Sequence, residues 1–183
     1  MRISTKNMIL TALFAALTAI GAFISIPIGP APITMQLLFT LMSGIFLGAN
    51  LGALSQILYV LMGLIGLPVF AGGRSGFSMI FSPTFGYLIG FIIAAYIIGK
   101  LLEKIEKPSF SKILIACLTA TLLIYAIGYP YLYLILSKVN GVAVTISGLL
   151  KPAVLVFLPG DIIKSLLASF LGVKLIPIIQ KIK

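Results

Sequence analysis

Long apolar runs fill this chain, broken at a few short polar or proline-rich points. A helix that crosses a bilayer needs about 20 mostly apolar residues. The first run covers Met8 to Ser25 and stops at Ile26-Pro27-Ile28-Gly29-Pro30-Ala31-Pro32, where three prolines forbid a regular helix. The second covers Ile33 to Leu47 and the third Leu51 to Leu67. Only Gly48-Ala49-Asn50 separates them, so they are expected to be adjacent and antiparallel. Gly44, Gly48 and Gly52 recur every four residues, a spacing that lets helix backbones approach closely in lipid. Pro68 to Ser78 is a glycine-rich break, and a fourth run follows from Ile80 to Gly99. Lys100 to Lys112 holds four lysines and two glutamates and belongs in water. The fifth run, Ile113 to Leu136, contains Gly128-Tyr129-Pro130, which predicts a kink or a short second piece. Ser137 to Lys151 reads as a polar loop. The last run, Pro152 to Ile176, is interrupted by Pro159-Gly160; its spanning part is expected to start there, since proline is tolerated in a first helical turn.

The pattern therefore predicts an all-α membrane protein. It is a single domain over residues 1–183, a bundle of six transmembrane helices with irregular outer loops over a ligand pocket. Composition agrees: 61% of the residues are hydrophobic and 9% charged. A soluble domain carries about 25% charged residues. The basic N-terminal stretch, Met1 to Asn7, precedes an apolar run as in a signal peptide. No convincing cleavage site or soluble body follows, so the run is expected to be a retained first helix.

Charge changes the picture in one respect. The formal net charge is +10, from 13 Lys or Arg against three acids, Glu103, Glu106 and Asp161. Most of the basic residues lie between apolar runs, where anchoring charges belong, so nucleic acid is not an expected partner. With six spans, Arg2, Lys6, Lys100, Lys104, Lys107, Lys112, Lys174, Lys181 and Lys183 share one side. Arg74, Lys138 and Lys151 lie on the other, which predicts both termini in the cytoplasm. The proline loop, the Gly-Gly-Arg loop and the Pro159-Gly160 break then meet on the outer side. Irregular backbone near a membrane lines a cavity or is buried in protein, so an outward-facing pocket is expected there.

The remaining composition is mostly exclusion. The one cysteine, Cys117, permits no intrachain disulfide. There is no histidine and the acids do not cluster, so neither a metal site nor a cofactor is expected. No phosphate-loop motif occurs, so ATP hydrolysis by that route is not expected of this chain.

Asp161 and Lys164 are the most informative residues. They lie three apart, on one face of the last helix, just inside the Pro159-Gly160 break. A charge deep in a span costs roughly 3 kcal/mol on insertion scales, a cost usually retained for function. The bland alternative is an ion pair that pins the last helix. Arg74 sits among Gly72, Gly73 and Gly76, which suit a loop folding over a ligand; an exposed loop charge is the alternative. Two cations and one anion suit a ligand with one carboxylate. Gln36 and Gln56 lie inside the second and third spans as helix glue or ligand contacts. Tyr59, Phe70, Phe77 and Tyr87 are candidate pocket walls or packing residues. On the first helix, Ala12 with Ala16 and Ala15 with Ala19 form two overlapping A-x-x-x-A pairs, a flat close-packing surface.

The strings IGAFISIPIGPAPITMQ, LGANLGALSQILYVLMGLIGLPVFAGGRSGF, SPTFGYLIGF and LPGDIIK resemble the biotin-specific substrate-binding subunits (S components) of energy-coupling-factor (ECF) transporters. The resemblance is dense over Ile20 to Phe91, thinner over Ile113 to Lys151, and returns at Leu158 to Lys164. It implies a six-helix protein of the cytoplasmic membrane that captures biotin from outside. It also implies partners: a transmembrane coupling protein and two ATP-binding-cassette (ABC) ATPases. The family's A-x-x-x-A surface falls on Ala12 and Ala16 or on Ala15 and Ala19, and the sequence does not choose. Its polar site residues map to Asp161 and Lys164, with Gly72-Gly73-Arg74 as a lid. In chemical terms Asp161 suits the urea N–H groups of biotin and Arg74 its carboxylate, although the reverse pose, with Lys164 on the carboxylate, stays open. Gln56 and Tyr87 complete the expected binding set. The competing functions are an S component for another small vitamin, a self-sufficient secondary transporter, a membrane scaffold and an intramembrane enzyme. A secondary transporter needs coupling-ion sites and usually repeated halves, which are not evident. A scaffold leaves Asp161 and Lys164 unexplained, and an enzyme lacks a histidine base and a nucleophile beside Asp161.

Overall fold

The computed structural model describes residues 4–28, 31–103 and 109–181, with side chains described as far as residue 177. Of the residues singled out above, Arg2, Gly29, Pro30, Lys104, Glu106, Lys107 and Lys183 lie outside the described residues, as does the side chain of Lys181.

Helix α1 (Thr5–Phe23) starts at Ser4, whose side chain accepts the N–H of Asn7 at 3.3 Å. It ends where the prolines begin. There the chain forms a small hairpin of β1 (Ser25–Ile26) and β2 (Ile33–Thr34), pairing Ser25 with Thr34 and Ile26 with Ile33. Helices α2 (Gln36–Leu47) and α3 (Ala49–Leu64) follow, with only Gly48 between them. Gly48 has φ +78°, a left-handed conformation that reverses the chain in one residue. The expected antiparallel pair is present, and Gly44 and Gly52 meet at its crossing. A Cβ on Gly52 would stand 3.0 Å from the Gly44 Cα.

Helices α2 and α3 are shorter than the apolar runs suggest, at 12 and 16 residues. They rise about 18 and 24 Å, less than the roughly 30 Å of a hydrocarbon core. The runs overshoot because Ile33 and Thr34 are strand and Ile65 and Gly66 are turn, apolar or small residues outside regular helix. Helix α4 (Phe85–Glu103) likewise begins later than Ile80, after a tight turn over Phe77–Phe81. Helix α5 (Phe110–Leu134) continues through Gly128 and Pro130, so no second piece starts there, and it passes into a wide turn over Ile135–Val139. Gly128 is there for contact, since a Cβ on it would lie 2.4 Å from the Tyr87 ring. Proline is tolerated in membrane helices, where neighbouring helices, side chains or local adjustment can satisfy the backbone groups it frees.

The segment expected to be loop up to Lys151 contains α6 (Ile146–Leu150), capped by Thr145 and continued by a wide turn over Lys151–Leu155. After a bend of 41° comes α7 (Leu158–Lys181), with Pro159 in its first turn as expected. Among the described residues, α1, α4 and α5 with its extension are long and apolar enough to span a membrane; the bent α6–α7 pair makes a fourth candidate span.

Helix α4 packs against α5, α3 and α2, α1 packs on α2 and α3, and α7 leans on α5 and α2. Glycines permit the closest crossings: a Cβ on Gly44 would lie 2.6 Å from the Ala95 carbonyl, and one on Gly99 2.0 Å from the Ala49 nitrogen. Leu41, Ile98 and Ile113 are fully buried, while Ile115, Leu122 and Ile163 stand on the outside. That outward apolar surface suits lipid.

Candidate functional site

The three irregular segments converge on one cavity. Ala31 and Pro32 come from the proline loop, Phe70, Ala71 and Arg74 from the glycine-rich loop, and Ala153 and Phe157 from the bend before α7. Residues of α2, α4, α5 and α7, with Thr34, Met79 and Thr84, supply the rest of the wall. The space between them is open to the surface at its mouth.

Asp161 reaches the cavity because α7 begins where it does. Pro159 sits in the first turn, where its missing N–H breaks no helical bond. The Asp161 N–H closes onto Phe157 O at 3.0 Å. A carboxylate one turn into a helix is favoured by the partial positive charge of the N-terminus. Lys164, one turn on, donates to Asp161 Oδ1 at 2.8 Å, and Asp161 and Lys164 are 8% and 7% exposed. The Tyr125 hydroxyl from α5 donates to Oδ2. Tyr87 stands edge-on to Tyr125, ring centres 6.4 Å apart, and its hydroxyl donates to Ala153 O at 3.1 Å. Asp161, Lys164 and Tyr87 thus come together as expected, and Tyr125 joins them unforeseen. Its signal was a phenol buried in a long apolar helix, since a buried hydroxyl normally finds a partner.

Arg74 lines the cavity from another element. Its loop is a tight turn: Phe70 N–H donates to Arg74 O at 3.1 Å, Gly73 N–H to Phe70 O at 2.9 Å, and Arg74 Nε to Ala71 O at 3.1 Å. Gly72 and Gly73 take φ of +74° and +69°, which the turn requires. Gly73 shapes the loop and is not among the lining residues. The loop is pinned at both ends to α3. Phe70 seats on Gly63, where a Cβ would stand 2.0 Å from its ring, and Gly76 N–H donates to Gly63 O at 2.8 Å.

The two glutamines part company. Gln36 lines the cavity, accepts from the Thr34 hydroxyl at 2.9 Å and donates to the Tyr59 hydroxyl at 2.7 Å. Tyr59 in turn donates to Val69 O at 3.1 Å, a further tie on the loop. Gln56 does not line the cavity. It is fully buried, accepts from Thr40 at 3.1 Å, and donates to Thr18, Ser43 and Ser55 at 3.1 to 3.3 Å. The expected substrate contact of Gln56 is thus replaced by a bond network that joins α1, α2 and α3. Its helix face explains this: it points at the α1–α2 seam, one turn below Tyr59. Phe77 is 70% exposed and also outside the cavity.

Burial separates the alanine pairs. Ala15 and Ala19 belong to the core, at 0% and 8% exposure. Ala12 and Ala16 lie on the exposed face of α1 with Met8, Ile9 and Leu13. Cys117 is free and buried. Among the described residues no three His, Cys, Asp or Glu side chains group together as metal ligands.

The cavity therefore has a buried carboxylate–ammonium pair on the α7 side and a guanidinium on the loop side. Leu37, Leu88, Phe91, Ile124 and Phe157 form apolar wall between. Such a site suits an elongated ligand, apolar in its middle and polar at its ends.

Comparison with known proteins points the same way. The sequence model of the BioY family matches residues 1–181. The biotin transporter BioY of Rhizobium etli is 38% identical over 179 residues, 92% of each chain. The probable biotin transporter BioY of Lysinibacillus sphaericus is 44% identical over 134 residues, covering 73% of this chain and 68% of that one. Among solved structures, the S-component for biotin from an ECF-type ABC transporter superposes with a TM-score of 0.83 at 28% identity, over 95% of this chain and 94% of that one. A multi-pass helical membrane fold, a cavity with polar ends and a family match over nearly the whole length lead to one statement: the chain belongs to the BioY family.

Proposed function

We propose that this chain captures biotin in the cavity and serves as the substrate-binding subunit of an ECF-type transporter. The observation that carries the reading is the Asp161–Lys164 pair. It sets an acceptor oxygen 2.8 Å from an ammonium nitrogen, both buried and both lining the cavity. A cyclic urea presents an N–H beside a C=O, the complement of that arrangement. Asp161 accepts the N–H and Lys164 donates to the carbonyl. The sulfur ring and alkyl chain lie along the apolar wall, and Arg74 receives the carboxylate in a charge-assisted pair. Equilibrium binding of radiolabelled biotin to the purified chain tests this. Saturable binding of one biotin per chain is expected; no binding by folded protein contradicts it.

The reading extends to partners and orientation. A transmembrane coupling protein and two ABC ATPases supply the energy, and the exposed Ala12–Ala16 face of α1 is the surface offered to the coupling protein. Ala16→Trp is expected to weaken that assembly while leaving biotin binding by the solitary subunit intact. Loss of both together would mark Ala16 as a packing residue. Both termini lie in the cytoplasm, on the charge asymmetry of the whole sequence. A thiol reagent that does not cross membranes should label Asn140→Cys from outside; labelling only from inside would invert the orientation.

A further inference from the structure

Asp161 has two side-chain partners, and they come from different helices. Lys164, on α7 itself, holds Oδ1 at 2.8 Å, and Tyr125, on α5, donates to Oδ2. A carboxylate held at one oxygen still swings about its last side-chain bond. Held at both, by donors on separate helices, its plane is fixed. Each carboxylate oxygen offers two acceptor sites, so each keeps one for a ligand. Tyr125 is itself locked: its ring is 9% exposed and meets the Tyr87 ring at 90°.

We infer that Tyr125 is a positioning and specificity-determining residue. It fixes the Asp161 carboxylate so that the site takes a ligand edge with one N–H beside one C=O and disfavours an edge with two N–H donors. The inference rests on the biotin reading above. A cyclic urea meets Asp161 with its N–H and Lys164 with its carbonyl. A cyclic guanidinium of the same shape presents two N–H groups side by side and a positive charge. As a fork it would add a third and a fourth donor to a carboxylate whose plane is already set by Lys164 and Tyr125, and the Lys164 charge repels it. Removing the Tyr125 hydroxyl frees Oδ2 and loosens the carboxylate. The urea ligand loses by this, whereas the guanidinium ligand gains a vacant oxygen that offsets its loss.

The competing role for Tyr125 is packing, since its ring forms a small apolar cluster with Ala31 and Phe157. Packing depends on the ring, which phenylalanine keeps. The test is equilibrium binding of biotin and of 2-iminobiotin, cationic at neutral pH, to purified wild type and Tyr125→Phe. Wild type is expected to prefer biotin by at least about tenfold. Tyr125→Phe should weaken biotin by up to about tenfold, an upper bound because the bond to Asp161 is present with and without ligand and only its orienting effect is lost on binding. It should weaken 2-iminobiotin distinctly less, so that the preference narrows. Equal losses for the two ligands, or no loss for either, would overturn the inference. The ratio of the two constants does not depend on how much of the preparation is folded. Should that variant yield no protein, Tyr125→Met, which also lacks the hydroxyl, is titrated with the same two ligands, and an unchanged preference there would overturn the inference. Wild type that binds neither ligand refutes the biotin assignment itself, and is told apart from failure of the Tyr125 role by that outcome.

Discussion

The polar clusters around Gln56 and around Asp161 are both buried in the apolar bundle, and they differ in what they leave unused. Around Gln56, four hydroxyls from α1, α2 and α3 surround one amide, and every group is neutral and bonded within the cluster. Around Asp161, the groups are charged and the cluster opens on the cavity. Lys164 spends one N–H donor on Asp161, and its other two have no protein acceptor among the described residues. A closed neutral network costs little in a low-dielectric interior and joins helices. An open charged one carries a desolvation cost of several kcal/mol, which internal packing alone does not require. Polarity inside a membrane therefore marks two different things, and spare bonding capacity beside a cavity separates them.

Breaking each cluster should give a different signature. The largest effect is expected for Lys164→Ala, which strands the buried Asp161 carboxylate. Removing one partner of a buried pair costs about 3–5 kcal/mol, so thermal unfolding in detergent should show a strong loss and biotin binding should fall with it. Unchanged stability would mean that the carboxylate is not held by the pair. Next comes Asp161→Asn, which keeps shape but replaces a charged acceptor by a neutral one. A hydrogen bond to a charged group is worth about 1.5–3 kcal/mol, or roughly ten- to a hundredfold in affinity, and the protein should still insert and fold. Gln56→Leu leaves the buried Thr40 hydroxyl without its acceptor, while Thr18, Ser43 and Ser55 keep backbone carbonyl partners, at about 1–3 kcal/mol of stability. Its affinity for biotin should stay within about twofold of wild type, because Gln56 does not line the cavity. The smallest effect is expected for Arg74→Ala, since Arg74 is itself exposed at the cavity wall and a charge pair there is screened by water. Biotin should weaken by about tenfold or less. A biotin amide without the carboxylate charge should weaken less still. Equal losses for the two would remove Arg74 from the carboxylate role.

How legible this was in the sequence depended on whether a residue's meaning is local. Asp161 and Lys164 could be read because a charge in an apolar run has few explanations. The helices α1 and α4 follow from run length within a few residues. Other features depend on helix rotation, which a sequence does not state. Gln36 and Gln56 look alike in apolar runs, yet one faces the cavity and the other the α1 seam. The two alanine pairs overlap on one helix, and only burial shows that Ala15 and Ala19 point inward. Pro130 reads as a break because proline lacks an N–H, but the bundle tolerates it within α5. Tyr125 was missed because a tyrosine among leucines and isoleucines counts as apolar until its hydroxyl has a partner across helices. The short spans α2 and α3 were overestimated because hydropathy does not distinguish an apolar helix from an apolar strand or turn.

The central claim is that the open charged cluster binds biotin and the closed neutral one only holds the bundle. It is tested most directly by titrating radiolabelled biotin against Asp161→Asn and Gln56→Leu, purified and assayed side by side with wild type. The account predicts a loss of about tenfold or more for Asp161→Asn and an affinity near wild type for Gln56→Leu. Wild-type affinity in Asp161→Asn, above all with a loss in Gln56→Leu, would contradict it.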